Sequence, residues 1–478
     1  MVFSSITFLF FFLPLTLVLC RLIRPVSWQN AVLLLASAIF YAWGEPRFVP
    51  VLAASIAFSY FCGNYIARSD GRARKLWLIV GVLLNLALLV VFKYANFIVD
   101  NYNLLADAAG VRLFHLAPIP LALGVSFFVF HGISYLVDIY RREASPARDL
   151  ASVALYISMF PQLVAGPIVR YSTIDQHIRR RLLSPGRCSY GWKLLVIGLA
   201  QKVLIADQVA LIADAAWLPA TLNALDIGQA WLGLSAYTLQ IYFDFAGYSN
   251  MAIGIGMMLG FGFPRNFRFP YVARSVTEFW RRWHISLSAW FRDYVYVPLG
   301  GNRSGTLQTC RNLLIVFVLC GFWHGASWTF LVWGLHHGVF LIAERTLLKR
   351  ALGAAPAWLR HAYLLLVVMT GWVWFRSDSM DQAMQMFGIL SGVLAQSGDA
   401  LLFRNAVNPL TVSAVLAGVL FALDLPRRLI GAISTHLPAM PANPASRVTS
   451  ELALFSLLVV ALSFVASGAY SPFLYFRF

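Results

Sequence analysis

Charge is what this sequence has least of. Only 12% of its 478 residues are Asp, Glu, Lys or Arg, against 60% hydrophobic and 15% aromatic residues, and the mean hydropathy is +0.71. Too few polar side chains remain to cover a water-soluble globule, which leaves a polytopic, all-α membrane protein. Acidic residues are the scarcer kind, 20 against 37 basic ones, for a net charge of +17. That excess does not read as a nucleic-acid surface, because the basic residues sit in short segments between apolar runs rather than on one face. They act there as topology signals and anion contacts. Cysteine is limited to five, an odd number, with Cys20, Cys62 and Cys320 in or beside apolar runs and Cys188 and Cys310 among arginines. Neither a disulfide framework nor a Cys-x-x-Cys metal site follows. No basic segment precedes the first apolar run and no small-residue cleavage site ends it, so Ile6–Cys20 is expected as a retained first helix. Without low-complexity segments or repeats, one integral domain over 1–478 is the simplest partition.

The basic residues assign sidedness. Arg21 and Arg24 follow the first helix, which puts that end in the cytoplasm and the N-terminus outside. Ala31–Trp43, Val49–Ile66, Leu76–Phe92 and Ile119–Ile139 then alternate, with Arg68, Arg72, Arg74, Lys75, Arg141 and Arg142 inside and the less basic Val99–Leu116 outside. Alternation fails at Ala151–Ile168, which has arginines at both ends and Pro161, Gly166 and Pro167 within, so a re-entrant or broken helix is expected. Leu194–Ile212 goes out and Ala230–Phe245 returns. Met251–Phe263 leads into arginines from Arg265 to Arg303 and reads as a second re-entrant piece. Leu313–Phe322 and Trp328–Ile342 form a dip, each shorter than a clean span, and His361–Phe375, Leu410–Leu423 and Leu452–Val465 complete the count with both termini outside. Leu401–Asn408 and His436–Arg447 read as loops.

Candidate chemistry concentrates in the region 240–340. His324 lies at the break of the dip, beside Trp323, Gly325 and Trp328. A buried histidine satisfied by a backbone carbonyl is one reading. The other is a general base in a lined pocket, since imidazole is suited to taking a proton from a hydroxyl or thiol near neutral pH. His284 follows Arg281 and Arg282, and the segment reads either as an interfacial amphipathic helix or as an anion pocket for phosphates such as the nucleotide end of coenzyme A. Asp244, with Tyr248 one turn on, puts a carboxylate in the membrane, where it is expected to orient an arginine or histidine. Gly254 and Gly256 lack the context of a nucleotide-binding turn and point to close helix packing. His336 and His337 alone carry no zinc signature, and no metal is expected.

Several longer motifs occur in order: Tyr242-Phe-Asp-Phe-Ala-Gly-Tyr-Ser, Asn266-Phe, Pro270-Tyr, Glu278-Phe-Trp-Arg-Arg-Trp-His-Ile-Ser-Leu-Ser, Arg292-Asp-Tyr, Gly300-Gly-Asn-Arg and Phe322-Trp-His-Gly. Together they resemble the membrane-bound O-acyltransferases, and more narrowly the bacterial alginate O-acetylase branch. Met1-Val-Phe-Ser-Ser, Phe40-Tyr-Ala-Trp, Phe92-Lys-Tyr-Ala-Asn-Phe, Ser134-Tyr-Leu-Val-Asp-Ile-Tyr-Arg and Phe160-Pro-Gln-Leu-Val-Ala-Gly-Pro extend the likeness over nearly the whole chain.

The resemblance implies about eleven to thirteen helices, some re-entrant or broken, around a thinned centre with a funnel. It implies that His324 is the catalytic histidine and general base and that His284 is the second, orienting or stabilising a donor thioester. No cofactor would be permanently bound, and acetyl-CoA would be the acyl donor. Arg281, Arg282 and Asn266 become donor-side candidates, with Asp293 and Tyr294 behind them and Asp244, Tyr248 and Trp323 in support. The expected activity is O-acetylation of an extracytoplasmic polysaccharide from the inner membrane, with peptidoglycan as the alternative acceptor. A lipid acyltransferase and a small-molecule transporter are more distant readings. The expected partners are a periplasmic acetyltransferase of the Ser-His-Asp type, a polysaccharide synthase or secretion complex, and membrane lipid. The C-terminal segment 468–478 ends Ser-Pro-Phe-Leu-Tyr-Phe-Arg-Phe. It is expected either as an interfacial aromatic anchor or, by likeness to a terminal motif of related acyl-transfer systems, as a relay in which Tyr475 carries the acyl group and Arg477 assists.

Overall fold

The computed structural model describes residues 1–303, 305–396, 400–426, 444–468 and 473–474, with the backbone alone for 444–447. Every regular element among them is helical. Among the described residues, six stretches are long and apolar enough to cross a bilayer: Val26–Gly44, Pro46–Arg68, Gly71–Ala108, Pro185–Trp217, Thr306–His324 and Val448–Ala466. At a rise of 1.5 Å, about 20 helical residues reach about 30 Å, the thickness of the hydrocarbon layer. Two of the six run longer because a π-helical turn continues them, at Val90–Tyr94 and at Gln201–Ala206.

The six spans differ widely in burial. The apolar window of Val448–Ala466 is 6% buried, whereas that of Pro185–Trp217 is 78% buried. Ile227–Met258 is buried at nearly every position from Gly233 onward and is not among the six. A helix facing lipid must be apolar all round, while one enclosed by protein can carry polar groups that neighbours satisfy.

The chain divides into two compact units. In the first, residues 1–195 with 252–264, the helix Val125–Tyr140 lies buried against Val49–Arg68 and Gly71–Leu89. Small and polar residues set that packing. Asn85 donates to Gly81 O at 2.9 Å and to Ser59 at 3.3 Å, and accepts from Ser55 at 2.7 Å. The break expected within Ala151–Ile168 falls at Met159, between Leu150–Ser158 and Phe160–Leu163. The Phe160 N–H freed there donates to Ser37 Oγ at 3.1 Å.

The second unit holds residues 196–251 and 265–478. Its centre is a hairpin of Thr306–His324 and Trp328–Arg345, turned by Ser327, whose hydroxyl accepts the Phe330 N–H at 3.4 Å. The two backbones nearly touch: a Cβ on Gly321 would lie 2.3 Å from Phe330 O, and one on Gly334 2.3 Å from Phe317 O. Short helices Val276–Trp280 and Ile285–Phe291 and the longer Ala357–Arg376 complete the surroundings of the hairpin turn.

Several expectations are corrected. Ala230–Phe245 and Met251–Phe263 are not a span and a re-entrant piece, because Ile227–Met258 is one continuous helix whose buried glycines pack instead of breaking it. A Cβ on Gly254 would meet Gly191 O at 2.4 Å, and one on Gly256 the Phe263 ring at 2.8 Å. The helix before His324 begins at Thr306, earlier than Leu313, and the helix after Gly71 runs on to Ala108, into the stretch read as an outside loop. Leu401–Ala406 is a helical turn and not a loop. Of His436–Arg447, 436–443 lies outside the described residues and the rest belongs to the helix Pro444–Ala466.

Gly334→Ala should lower the thermal unfolding midpoint of the solubilised protein by several degrees, about 2 kcal/mol or more, since a backbone carbonyl cannot yield to the new methyl. Gly353→Ala, which adds its Cβ where nothing lies within 4 Å, is the control and should leave the midpoint in place.

Candidate functional site

All the site residues described below belong to the second unit. The helix Val276–Trp280 is too short to hold itself, and side chains secure its N-terminus. Ser275 caps it by accepting the Glu278 N–H at 3.0 Å. The Glu344 carboxylate reaches across from Trp328–Arg345 and accepts the Val276 and Thr277 N–H groups at 2.5 and 3.0 Å and the Thr277 hydroxyl at 2.7 Å. Burial would raise the Glu278 carboxyl, but the Arg274 N–H at 2.9 Å and the Arg282 guanidinium outweigh it and hold the group below the ordinary carboxylate range. Those bonds are therefore complete at neutral pH and are lost only as the pH falls through that lowered value.

His284 follows this helix in the left-handed region, at φ 41° and ψ 54°, an uncommon conformation for a residue with a side chain. Asn266 holds it there. The Asn266 backbone carbonyl accepts the Ile285 N–H at 2.9 Å, and its side-chain oxygen accepts the Ser286 N–H at 3.2 Å and the Ser286 hydroxyl at 2.9 Å. The same oxygen lies 3.1 Å from His284 Nδ1. Accepting a backbone N–H identifies this atom as the amide oxygen, which carries no hydrogen, so the proton of this contact sits on Nδ1 and a neutral His284 presents its lone pair at Nε2. The Asn266 amide donates to Ser249 Oγ at 3.0 Å, and the Phe245 ring stands edge-on to the imidazole at 4.6 Å.

His324 ends its helix and is 3% exposed. Its ring meets Trp323 at 4.9 Å, Trp333 at 4.9 Å and Phe375 at 5.1 Å. Trp323 connects the two histidines, since His284 lies against the same indole at 6.1 Å. The sequence separated these residues by 40 positions; the fold brings them to one aromatic wall.

Two cavities lie in the same unit, and neither has His284, His324 or Trp323 among its lining residues. One, of about 540 Å³, is mainly apolar and lined by Trp280, Ile285, Phe317 and Cys320, with Arg281 and Arg292 at polar positions. Cys320 lies one turn before His324, and Ile285 directly follows His284. The other, of about 870 Å³, carries Arg274, Arg345, Lys349 and Arg360 together with Glu278 and Glu344. Both share Thr277, Leu313 and Leu341 in their walls.

Sequence-based expectations are redistributed by this geometry. Arg281 does line a cavity, while Arg282 is tied to Glu278 at 2.8 Å and to the Arg268 carbonyl at 3.2 Å. Asn266, expected on the donor side, is buried and committed to His284. Asp293 pairs with the adjacent Arg292 at 2.7 Å, and Tyr294 packs on Trp290 at 5.1 Å. Asp244 is paired with Lys202 at 2.7 Å, not with an arginine or histidine, and Tyr248 stands one turn beyond it. Tyr475 and Arg477 lie outside the described residues. Sequence reading missed Lys202, Glu344, Arg345, Lys349 and Arg360. A lysine inside an apolar helix and an acid at the end of one were the available signals.

The family model of the membrane-bound O-acyltransferases matches residues 139–380. A probable alginate O-acetylase of Azotobacter vinelandii is 39% identical and one of Pseudomonas aeruginosa 37% identical, with 100% of both chains covered in each comparison. The peptidoglycan O-acetyltransferase of Helicobacter pylori is 33% identical over 100% of this chain and 98% of its own.

Asn266→Leu leaves the His284 and Ser286 donors buried without an acceptor and should cost about 2–4 kcal/mol, read as a lowered midpoint in thermal unfolding. Asn266→Asp keeps the acceptor and should cost clearly less. Equal losses would remove the argument that the side-chain oxygen is what holds His284.

Proposed function

The chain belongs to the membrane-bound O-acyltransferase family, and we propose that it takes acetyl from a cytoplasmic thioester, with acetyl-CoA as donor, and passes it across the bacterial inner membrane for O-acetylation of an extracytoplasmic polysaccharide. Membrane O-acetyltransferase activity follows from the family and the named relatives. The polymer, an alginate, cellulose or other exopolysaccharide, and the direction of transfer are the proposal. So is a topology with both termini outside.

The observation that carries the donor side is the pair of cavities sharing Thr277, Leu313 and Leu341. Arg274, Arg345, Lys349 and Arg360 suit the phosphates of coenzyme A, and the apolar cavity suits its thioester arm. Trp280 in the wall of that cavity stands 5.8 Å from Trp333, and Trp333 borders His324. An acceptor hydroxyl gives its proton to His324 as its oxygen bonds to the thioester carbonyl carbon. The C–S bond then breaks, and the proton passes to the departing sulfur. His284, with Nδ1–H committed to Asn266, orients the donor by accepting an amide N–H of the thioester arm at Nε2.

Because the polymer lies outside, Tyr475 is the first acceptor in this reading. A periplasmic acetyltransferase of the Ser-His-Asp type, beside a polysaccharide synthase or secretion complex, transfers the acetyl onward. Identity to the Helicobacter pylori protein favours peptidoglycan as the second reading of the final acceptor.

Radiolabelled acetyl-CoA supplied to inside-out vesicles, with the partner and polymer in the lumen, decides the class. Label in the glycan supports the proposal, label in lipid supports a lipid acyltransferase, and no transfer overturns both. His324→Ala should abolish transfer, by about 10³-fold or more, at normal membrane levels, and full activity would refute the base assignment. Arg345→Gln with Arg360→Gln should raise the KM for acetyl-CoA about tenfold with a smaller change in kcat, measured by initial rates.

A further inference from the structure

Lys202, Asp207 and Asp244 form an ion cluster that the donor chemistry leaves unused. The Lys202 ammonium is 2.7 Å from Asp207 Oδ1 and 2.7 Å from Asp244 Oδ1, and the three side chains are 2%, 6% and 4% exposed. Lys202 stands in the π-helical turn Gln201–Ala206, whose wider winding sets it beside Asp207 five residues on. The second oxygen of Asp244 is also engaged: it accepts the backbone N–H of Leu474, 230 residues away, at 2.8 Å. The preceding Phe473 is held by its ring. Lys202 Nζ is 4.7 Å from its centre, and Tyr248 meets it edge-on at 4.7 Å and 88°. Phe473 and Leu474 are 1% and 6% exposed, so this stretch is inserted into the protein rather than laid on its surface.

The insertion point is next to the site. Asp244 and Tyr248 are one turn apart on one face of Ile227–Met258 and hold the C-terminal segment. Phe245 and Ser249 follow them on the adjacent face, where Phe245 packs on His284 and Ser249 accepts from Asn266. A helix with its side chains is about 10–12 Å across, so Leu474 and His284 are separated by about the width of one helix. Tyr475 is the next residue of the chain after Leu474.

We propose that Lys202 and Asp244 are positioning residues that seat Phe473–Leu474, and that acyl transfer to Tyr475, the next residue of the chain, depends on that seat. The purpose assigned to the seat rests on Tyr475 being the first acyl acceptor; the seat itself does not. A buried ion pair contributes little net stability that apolar side chains of the same volume would not match. What the pair supplies in addition is a charged acceptor for a backbone N–H and a cation for an aromatic ring, the two features by which Leu474 and Phe473 are held.

Substitutions in the segment leave the ion cluster intact and avoid variants that fold poorly. Leu474→Pro removes the N–H that Asp244 accepts, and Leu474→Ala keeps it. The full-length protein in nanodiscs is treated with a carboxypeptidase, and removal of the last residues is followed by mass spectrometry. In parallel, Tyr475 acetylation from acetyl-CoA is measured as a mass increment on the C-terminal peptide. A lost hydrogen bond to a charged acceptor shifts the seated fraction about 10–100-fold, so Leu474→Pro should be trimmed at least about tenfold faster than the native chain. Leu474→Ala should stay close to native. Tyr475 acetylation should fall with the seat while the KM for acetyl-CoA is unchanged, a split that a general loss of structure would not give. Equal trimming of all three proteins overturns the seat, whatever the activity. If Leu474→Pro frees the segment yet Tyr475→Phe still acetylates glycan at the native rate, the seat stands and the acyl-carrier reading is what fails.

Discussion

A charged or polar side chain withdrawn from water has to be given partners, and in the second unit one helix does this for two groups at once. Ile227–Met258 supplies Asp244 to Lys202 and Leu474, and one residue further round it supplies Phe245 and Ser249 to the support of His284. The third side of the same helix is kept bare. A Cβ on Gly247 would lie 2.7 Å from Gly198 O and 3.2 Å from the Lys202 backbone nitrogen, so only glycine lets the helix that carries Lys202 come within ion-pair reach of Asp244. Packing, the ion cluster and the position of His284 therefore depend on consecutive turns of a single element.

The two histidines are held by different physics. Asn266 holds His284 through hydrogen bonds and so fixes which nitrogen carries the proton. Aromatic rings from three segments enclose His324 and keep bulk water off it. Glu344 closes a helix N-terminus with its carboxylate, and Arg345, the next residue, lines the larger cavity with it.

Helix placement was legible wherever lipid imposed its own composition. Val49–Ile66, read from hydropathy, appears as Val49–Arg68, and the two prolines and the glycine of 151–168 announced the break at Met159. Reading failed where protein replaces lipid as solvent. Ile227–Met258 looked like two pieces because its interior carries Gln240, Asp244, Ser249 and Asn250, which a lipid-facing helix does not tolerate and a protein-enclosed one does. The helix ahead of His324 was drawn too short for a related reason: its first turn, from Thr306, is polar and cannot be told from a loop by hydropathy.

The sequence by itself determined the class and the family, because aromatic and basic residues clustered between apolar runs form long ordered motifs that survive without any knowledge of contacts. Tertiary structure alone decided who serves whom. Asn266 turned out to face His284, Asp244 to face Lys202 and the C-terminal segment, and Arg345 and Arg360 to share a cavity with Arg274. Each of these pairings joins residues 15 to 230 positions apart through side-chain direction and helix rotation. Hydropathy and motif spacing carry no record of rotation, and a turn of about 100° per residue separates the face that holds the segment from the face that holds the histidine.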